Sequence, residues 1–232
     1  AGLPSQNRLL LADTVRAATH PGGFLLTGIP RFNGDNRPLN SAFLFDQQAG
    51  LRGVYDKRHL VPFGEYVPFR SWVPFLDIIA GPADFVAGEH NHLIAVPGIG
   101  QVQTLICYEV IFAGQVIAPT NRPDVMVNIT NDAWFGTTIG PWQHLYQSQL
   151  RAVEEGIPLV RVANTGISAA FDGFGRQLGA IPLGMRAYLD IALPSVLTAP
   201  VFARFGNVGF FALCFGVFGV AWVLHRRERQ QA

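Results

Sequence analysis

Charge is scarce in this sequence: Asp, Glu, Lys and Arg make up 14% of the 232 residues, where soluble domains usually carry about 25%. A chain so poor in charge must hide apolar surface from water somewhere. The 17 basic and 16 acidic side chains nearly cancel, so no field draws in a polyanion, and nucleic acid is excluded as the leading partner. Cysteine is almost lacking too. Cys107 and Cys214 cannot build a disulfide framework, and their settings differ so much that they are expected to stay unpaired. No Cys or His set has zinc-site spacing, and His90 and His92 read as solvated loop, so no metal is expected. The chain starts at Ala1 without a basic, apolar, small-residue leader pattern. The most consequential absence is acidic: no glutamate precedes Glu65, and Asp13, Asp35, Asp46 and Asp56 are the earlier carboxylates.

What is abundant is apolar. Phe205 to Leu224 run without one charged residue, and twenty residues at 1.5 Å per residue match the roughly 30 Å hydrocarbon core of a bilayer. This segment is expected to be a transmembrane helix. Arg204 flanks it on one side, His225, Arg226, Arg227 and Arg229 follow on the other, and Trp222 sits near that end as an interfacial aromatic. Basic residues favour the cytoplasmic side, so 225–232 is expected to be a cytoplasmic tail and residues 1–200 to lie outside. Gly216 and Gly219 offer a place for another helix to approach.

Upstream, short apolar runs alternate with helical stretches, the pattern of an α/β domain. Strands are expected at Phe24 to Pro30, Ser41 to Asp46, Gly53 to Asp56, His92 to Val96, Val102 to Cys107, Asp124 to Ile129, Leu159 to Ala163, Ile167 to Phe171 and Gln177 to Ile181. Helices are expected at Ser5 to Thr19 and at Pro141 to Glu155, where Leu145, Gln149 and Ala152 share a face. Without an internal repeat or linker, residues 1–200 read as one unit.

Three segments carry chemistry. Cys107 ends the run VQTLI and precedes Tyr108 and Glu109. A cysteine emerging at a strand end can offer its sulfur as nucleophile while the next backbone N–H stabilises an oxyanion; a small buried cysteine is the bland alternative. In YDKRHLVPFGEYVP, Lys57 leaves a strand and Glu65 follows on a loop stiffened by proline. The ammonium can stabilise a thiolate and a developing oxyanion, with Glu65 holding it, or the cluster is merely solvated. In NITNDAWFG, Asn131, Asp132, Trp134 and Phe135 follow a strand, where α/β sites assemble, and the two aromatics suit either a pocket wall or the core.

In this order the three segments resemble the carbon-nitrogen hydrolase (nitrilase) superfamily, whose sites combine a Glu, a Lys and a Cys. The strings KRHLVPFGEYVPF, ICYE and NDAWFG, followed by a terminal span, are similar to the apolipoprotein N-acyltransferase family of the bacterial inner membrane. The resemblance implies a nitrilase-like α-β-β-α sandwich of two mixed sheets, here incomplete at its N-terminus. It makes Cys107 the nucleophile and Lys57 the catalytic lysine, with Glu65 and Glu109 as two further functional acids; beside these, Tyr108 is expected in support and Asn131, Trp134 and Phe135 at the substrate pocket. It implies no cofactor. The reaction implied is ping-pong: an acyl chain passes from a phospholipid donor to the thiol, then to the N-terminal amine of a diacylglyceryl apolipoprotein. The bilayer is itself a partner, and Phe69, Trp72, Val73, Phe75 and Leu76 would form a lipid-facing lid.

The departure is the family's catalytic Glu, which precedes the lysine segment and has no counterpart here. The resemblance therefore implies the C-terminal part of a longer member, or else a degenerate relative, and a chain that does not turn over by itself. Two other readings use the same residues: a membrane-tethered amidase, in which water resolves the acyl-enzyme, and a non-catalytic lipoprotein-binding module.

Overall fold

The computed structural model describes residues 12–17, 19–68, 84–89, 93–118 and 121–231. Residues 12–17 are helical and bury Val15; the rest of the expected Ser5 to Thr19 helix, and all five expected lid residues, lie outside the described residues.

Two sheets follow. The first is an antiparallel meander of β1 (Phe24–Phe32), β2 (Pro38–Asp46) and β3 (Leu51–Asp56). The second has six strands in chain order, β4 (Ile94–Val96), β5 (Gly100–Ile106), β6 (Val125–Asn131), β7 (Leu159–Asn164), β8 (Ser168–Phe171) and β9 (Gln177–Ile181). Its central pairs β5–β6 and β6–β7 are parallel and the outer ones antiparallel. Among the described residues, the second sheet is the mixed one. The described pairs of the first sheet are antiparallel, because connections of a few residues close hairpins and cannot make a parallel crossover.

Side-chain alternation sorts the strands' residues onto two faces. Ala42, Leu44 and Tyr55 of the first sheet pack against Ile94, Val96, Val102, Ile106 and Val125 of the second, which makes the sandwich core. Leu105, Met126, Leu159, Ala169 and Phe171 point the other way, onto Leu145 and Ala152 of helix α1 (Gly140–Glu155). Pro141 occupies the first turn of α1, where a missing N–H costs nothing, and Gly156, at φ 64°, ends it in the left-handed conformation that glycine adopts without a Cβ penalty.

Residues 182–200 have no regular structure and return across α1, where the Leu197 N–H donates to the Gly156 carbonyl at 2.9 Å. A short helix α2 (Val201–Phe205) follows, and Gly206, at φ 53°, terminates it. The long helix α3 runs over Val208–Gln231. The sequence places the apolar helix at Phe205 to Leu224. In the structure Phe205 closes α2, because a left-handed glycine breaks the helix inside the apolar run, and the helix continues through the basic segment. Residues Val208–Arg227 are long and apolar enough to cross a membrane, with mean hydropathy 2.0 and none of the stretch buried. At its end the Arg226 guanidinium lies 4.1 Å from the centre of the Trp222 ring.

Candidate active site

The parallel strands β5, β6 and β7 end side by side, and the residues singled out in the sequence gather there and at the end of β3. Lys57 follows β3 directly. Its N–H donates to the Asn40 carbonyl and its own carbonyl accepts from Gly88 N–H, each at 2.8 Å. Its side chain is only 1% exposed, which rules out the solvated cluster. A buried ammonium needs a counter-charge, and Glu65 supplies it, with Nζ 2.9 Å from Oε1 and 2.7 Å from Oε2. Asn40 Nδ2 donates to Oε1 at 2.8 Å and the Val61 N–H to Oε2 at 2.7 Å. Each carboxylate oxygen thus accepts two hydrogen bonds, which fills its lone pairs. Glu65 anchors the lysine and has no capacity left to take a proton from a substrate.

Glu109 joins the lysine segment to the cysteine segment. It is buried, and its Oε1 accepts from Tyr55 Oη at 2.9 Å, Arg58 N–H at 2.8 Å and His59 N–H at 3.2 Å. Its Oε2 accepts from Ile106 N–H at 2.7 Å. Burial first, and then the Glu109 charge, push the Tyr55 phenol well above its ordinary range, so it stays a donor. One carboxylate therefore binds both the residue after Lys57 and the residue before Cys107.

Cys107 is expected as the last strand residue. Instead β5 stops at Ile106, and Cys107 opens a 3-10 turn, Cys107–Ile111. Its φ of 52° is the reason: a left-handed residue cannot continue a strand. This conformation costs a non-glycine residue of order 1–3 kcal/mol, and it turns the chain sharply where a nucleophile would be presented. The thiol is free and half-buried. Tyr108 beside it packs edge-on against Phe112, with centroids 5.0 Å apart, and Phe112 stacks on His59 at 4.5 Å.

Behind the cysteine, on the α1 side of the sheet, lies a polar cluster. Arg161 stands opposite Asn128 in the β6–β7 register; its Nη1 donates to Asn128 Oδ1 and its Nη2 to Asp132 Oδ2, both at 2.5 Å. His144 of α1 places Nδ1 3.0 Å from Asp132 Oδ1 and Nε2 3.2 Å from the Cys107 carbonyl. Asn128 Nδ2 donates to the same carbonyl at 3.3 Å and to the Leu105 carbonyl at 3.2 Å. Burial alone would raise the Asp132 carboxyl, but the His144 hydrogen bond and the Arg161 charge outweigh it and hold the group below the usual carboxylate range. Burial lowers Arg161, offset in part by Asp132. Gly166 is required by this cluster, since a Cβ there would sit 2.4 Å from Asp132 Oδ2.

Of the other expected pocket residues, Asn131 caps the 3-10 turn Asp132–Phe135 by accepting from Ala133 N–H at 3.2 Å. Phe135 meets the His144 ring edge-on at 6.0 Å, and Trp134 is 85% exposed, so it walls no enclosed pocket among the described residues. An open cleft of about 360 Å³ lined by Gly22, Phe24, Asp46 and Arg52 lies at the opposite end of both sheets, away from Lys57 and Cys107.

Sequence reasoning passed over His144 and Arg161. Arg161 does leave a signal, a charge in the middle of the apolar strand LVRVA, since unpaired charges are almost never fully buried. His144 leaves none beyond its place on the inward stripe of α1.

Residues 8–199 match the carbon-nitrogen hydrolase family, over the span that holds both sheets and every residue of this site. The chain belongs to that family. Among curated relatives, it is similar to the apolipoprotein N-acyltransferase of Bradyrhizobium diazoefficiens, 40% identical over 211 residues, covering 90% of this chain and 38% of that protein. It is likewise similar to the apolipoprotein N-acyltransferase of Sinorhizobium medicae, 41% identical over 194 residues, covering 82% of this chain and 35% of that protein. The chain thus spans little more than a third of the length of these relatives. Among solved structures, Saccharomyces cerevisiae Nit3, of the nitrilase superfamily, superposes with a TM-score of 0.59 at 17% identity, covering 80% of this chain and 64% of that one. A carbon-nitrogen hydrolase from Helicobacter pylori G27 gives 0.59 at 12% identity, covering 78% and 64%. At these identities the likeness is one of fold.

Proposed function

We propose that this chain carries the nucleophile half of an apolipoprotein N-acyltransferase site. The observation that supports this best is Glu109 clamping the Lys57 segment to the Cys107 strand end, in a chain about 40% identical to curated relatives of that name. The Cys107 thiol gives its proton to the base and attacks the ester carbonyl of a phospholipid acyl chain, the Lys57 ammonium and the N–H after Cys107 stabilise the oxyanion, and as the C–S bond forms the ester C–O bond breaks, the lysophospholipid alkoxide leaving with the proton returned by the base. The α-amine of a diacylglyceryl-cysteine at an apolipoprotein N-terminus then attacks the thioester. The amide C–N bond forms, the C–S bond breaks, and the amine proton passes to a base. Splitting the transfer this way suits a thioester, which an amine attacks readily.

Glu65 is saturated by Lys57, Asn40 and Val61, so the base is a different carboxylate, and no glutamate precedes Glu65 in these 232 residues. Residues 1–232 expressed by themselves are therefore expected not to turn over. The apolar helix Val208–Arg227 anchors the domain at the inner membrane, with its basic end cytoplasmic and the site on the periplasmic side. A bilayer location suits a reaction whose two substrates are lipids.

The test is intact-protein mass spectrometry of the full gene product, purified from membranes and incubated with phospholipid, beside a Cys107→Ala variant. A fatty-acyl mass gain that hydroxylamine removes and the variant lacks is the expected result. Absence of the gain, or release of free fatty acid at the same rate with and without a lipopeptide amine, overturns the acyltransferase reading in favour of binding or hydrolysis.

A further inference from the structure

Cys107 pays for its left-handed backbone with something, and the described structure offers two hydrogen bonds onto its carbonyl oxygen, from Asn128 Nδ2 at 3.3 Å and His144 Nε2 at 3.2 Å. The second is the informative one. To donate to a carbonyl, Nε2 must carry the proton. In a neutral imidazole Nδ1 is then an acceptor, and Arg161 Nη2, 3.1 Å from Nδ1, is the donor it needs. In an imidazolium Nδ1 donates instead to Asp132 Oδ1 at 3.0 Å. With Nε2–H aimed at the Cys107 carbonyl, the Arg161–Asp132 pair holds the Nδ1 side of the ring. His144 is buried in α1 with the Phe135 ring edge-on against it, and both ring nitrogens have polar partners within 3.2 Å.

We propose that His144 is a positioning residue for the nucleophile, its Nε2–H holding the Cys107 carbonyl and thereby the left-handed turn that presents the thiol, with Arg161 and Asp132 fixing the ring through Nδ1. Because Arg161 stands across from Asn128, which holds the same carbonyl, the guanidinium supports both donors at once. The inference rests on Cys107 being the nucleophile, and goes beyond the roles carried by the resemblance, none of which includes His144 or Arg161.

The experiment measures how fast iodoacetamide alkylates Cys107 in the full gene product in detergent, read on the Cys107 peptide by mass spectrometry so that Cys214 does not interfere, alongside the melting temperature. No acyl donor is used, so a failure of the acyltransferase reading, seen as no acyl gain from phospholipid, is separate from a failure here. His144→Gln can place an amide N–H near the position of Nε2, whereas His144→Asn reaches only the Nδ1 side. Losing one hydrogen bond to a strained turn is expected to slow alkylation about tenfold in His144→Asn, while His144→Gln stays within about threefold of wild type. A purely structural role makes both variants follow their melting temperatures instead. Equal alkylation rates in the two variants, or a wild-type rate in His144→Asn, overturns the proposal. His144→Leu, where it folds, is expected to match His144→Asn; a wild-type rate there overturns it as well.

Discussion

Replacing Glu109 by glutamine keeps the side chain's volume and removes its charge, and the four donors around it set the outcome. With the amide oxygen placed at Oε1, it still accepts from Tyr55 Oη, Arg58 N–H and His59 N–H, but the amide nitrogen then faces the Ile106 N–H across what was a 2.7 Å bond. The flipped amide sets three donors against a donor and is worse. In the better orientation one buried N–H goes unpaired, at about 1–3 kcal/mol. The three remaining bonds lose charge assistance, which roughly halves their strength. The sum is about 3 kcal/mol, or roughly a 6–12 °C fall in melting temperature for a domain of this size. Function should suffer more than stability, because Glu109 sets the lysine segment against Cys107, and a displacement of about 1 Å at a reacting centre can cost on the order of 100-fold in rate. The assay pairs thermal melts with the rate of Cys107 acylation by phospholipid in the full gene product. Glu109→Gln should be slowed about 100-fold at temperatures where it is fully folded. An unchanged melting temperature together with an unchanged acylation rate would refute the reasoning, since it would mean that the four hydrogen bonds do not hold the two segments in register.

Asp132→Asn leaves the buried Arg161 guanidinium without its counter-charge and is expected to cost about 3–5 kcal/mol, whereas Asp132→Asn with Arg161→Met should cost clearly less than the two single changes added together; additive losses in denaturant melts would show that the pair is not coupled. Burial raises Glu154 and Glu155 above the ordinary value of 4.5, so the folded chain binds the extra protons and the melting temperature should climb as pH falls from neutrality towards 4.5. Asp132 is held below its ordinary 3.8, so its stabilisation is complete above that value and is lost as pH falls through the lowered one; melts from pH 3 to 8 with no mildly acidic maximum would contradict both assignments. Phe218→Arg puts a charge in the middle of the apolar helix, at about 2.5–3.5 kcal/mol on an insertion scale, and should shift the protein from membrane to soluble or aggregated fractions; unchanged carbonate-resistant membrane association would argue against a span.

Strand positions, the long apolar helix and the three chemical segments were legible because each is written in contiguous residues: short apolar runs bounded by turn residues, twenty uncharged residues, a lysine, a cysteine and an asparagine placed at strand ends. Helix α1 was read in position but only partly in orientation. Its buried stripe includes His144, Ser148 and Arg151, while Trp142, Tyr146 and Leu150 face outward, so hydrophobic periodicity alone misplaces part of its inner face. The break at Gly206 was hidden inside an apolar run, because composition does not report a left-handed φ.

By itself the sequence determined the α/β class, the apolar helix and which residue types are available for thiol chemistry, since hydrophobic period and local turn chemistry act over a few residues. Only the tertiary structure decided which charges are buried and with whom. In the sequence Lys57 is open between a solvated cation and a held one, and its burial with Glu65 and Asn40 decides it. The Glu109 clamp spans 50 to 54 residues of chain. Arg161 finds Asp132 and Asn128 only because β6 and β7 lie parallel in register. The physical reason is that desolvation is a property of the assembled core, so a charge can be kept, neutralised or put to work only by partners that folding brings from elsewhere in the chain.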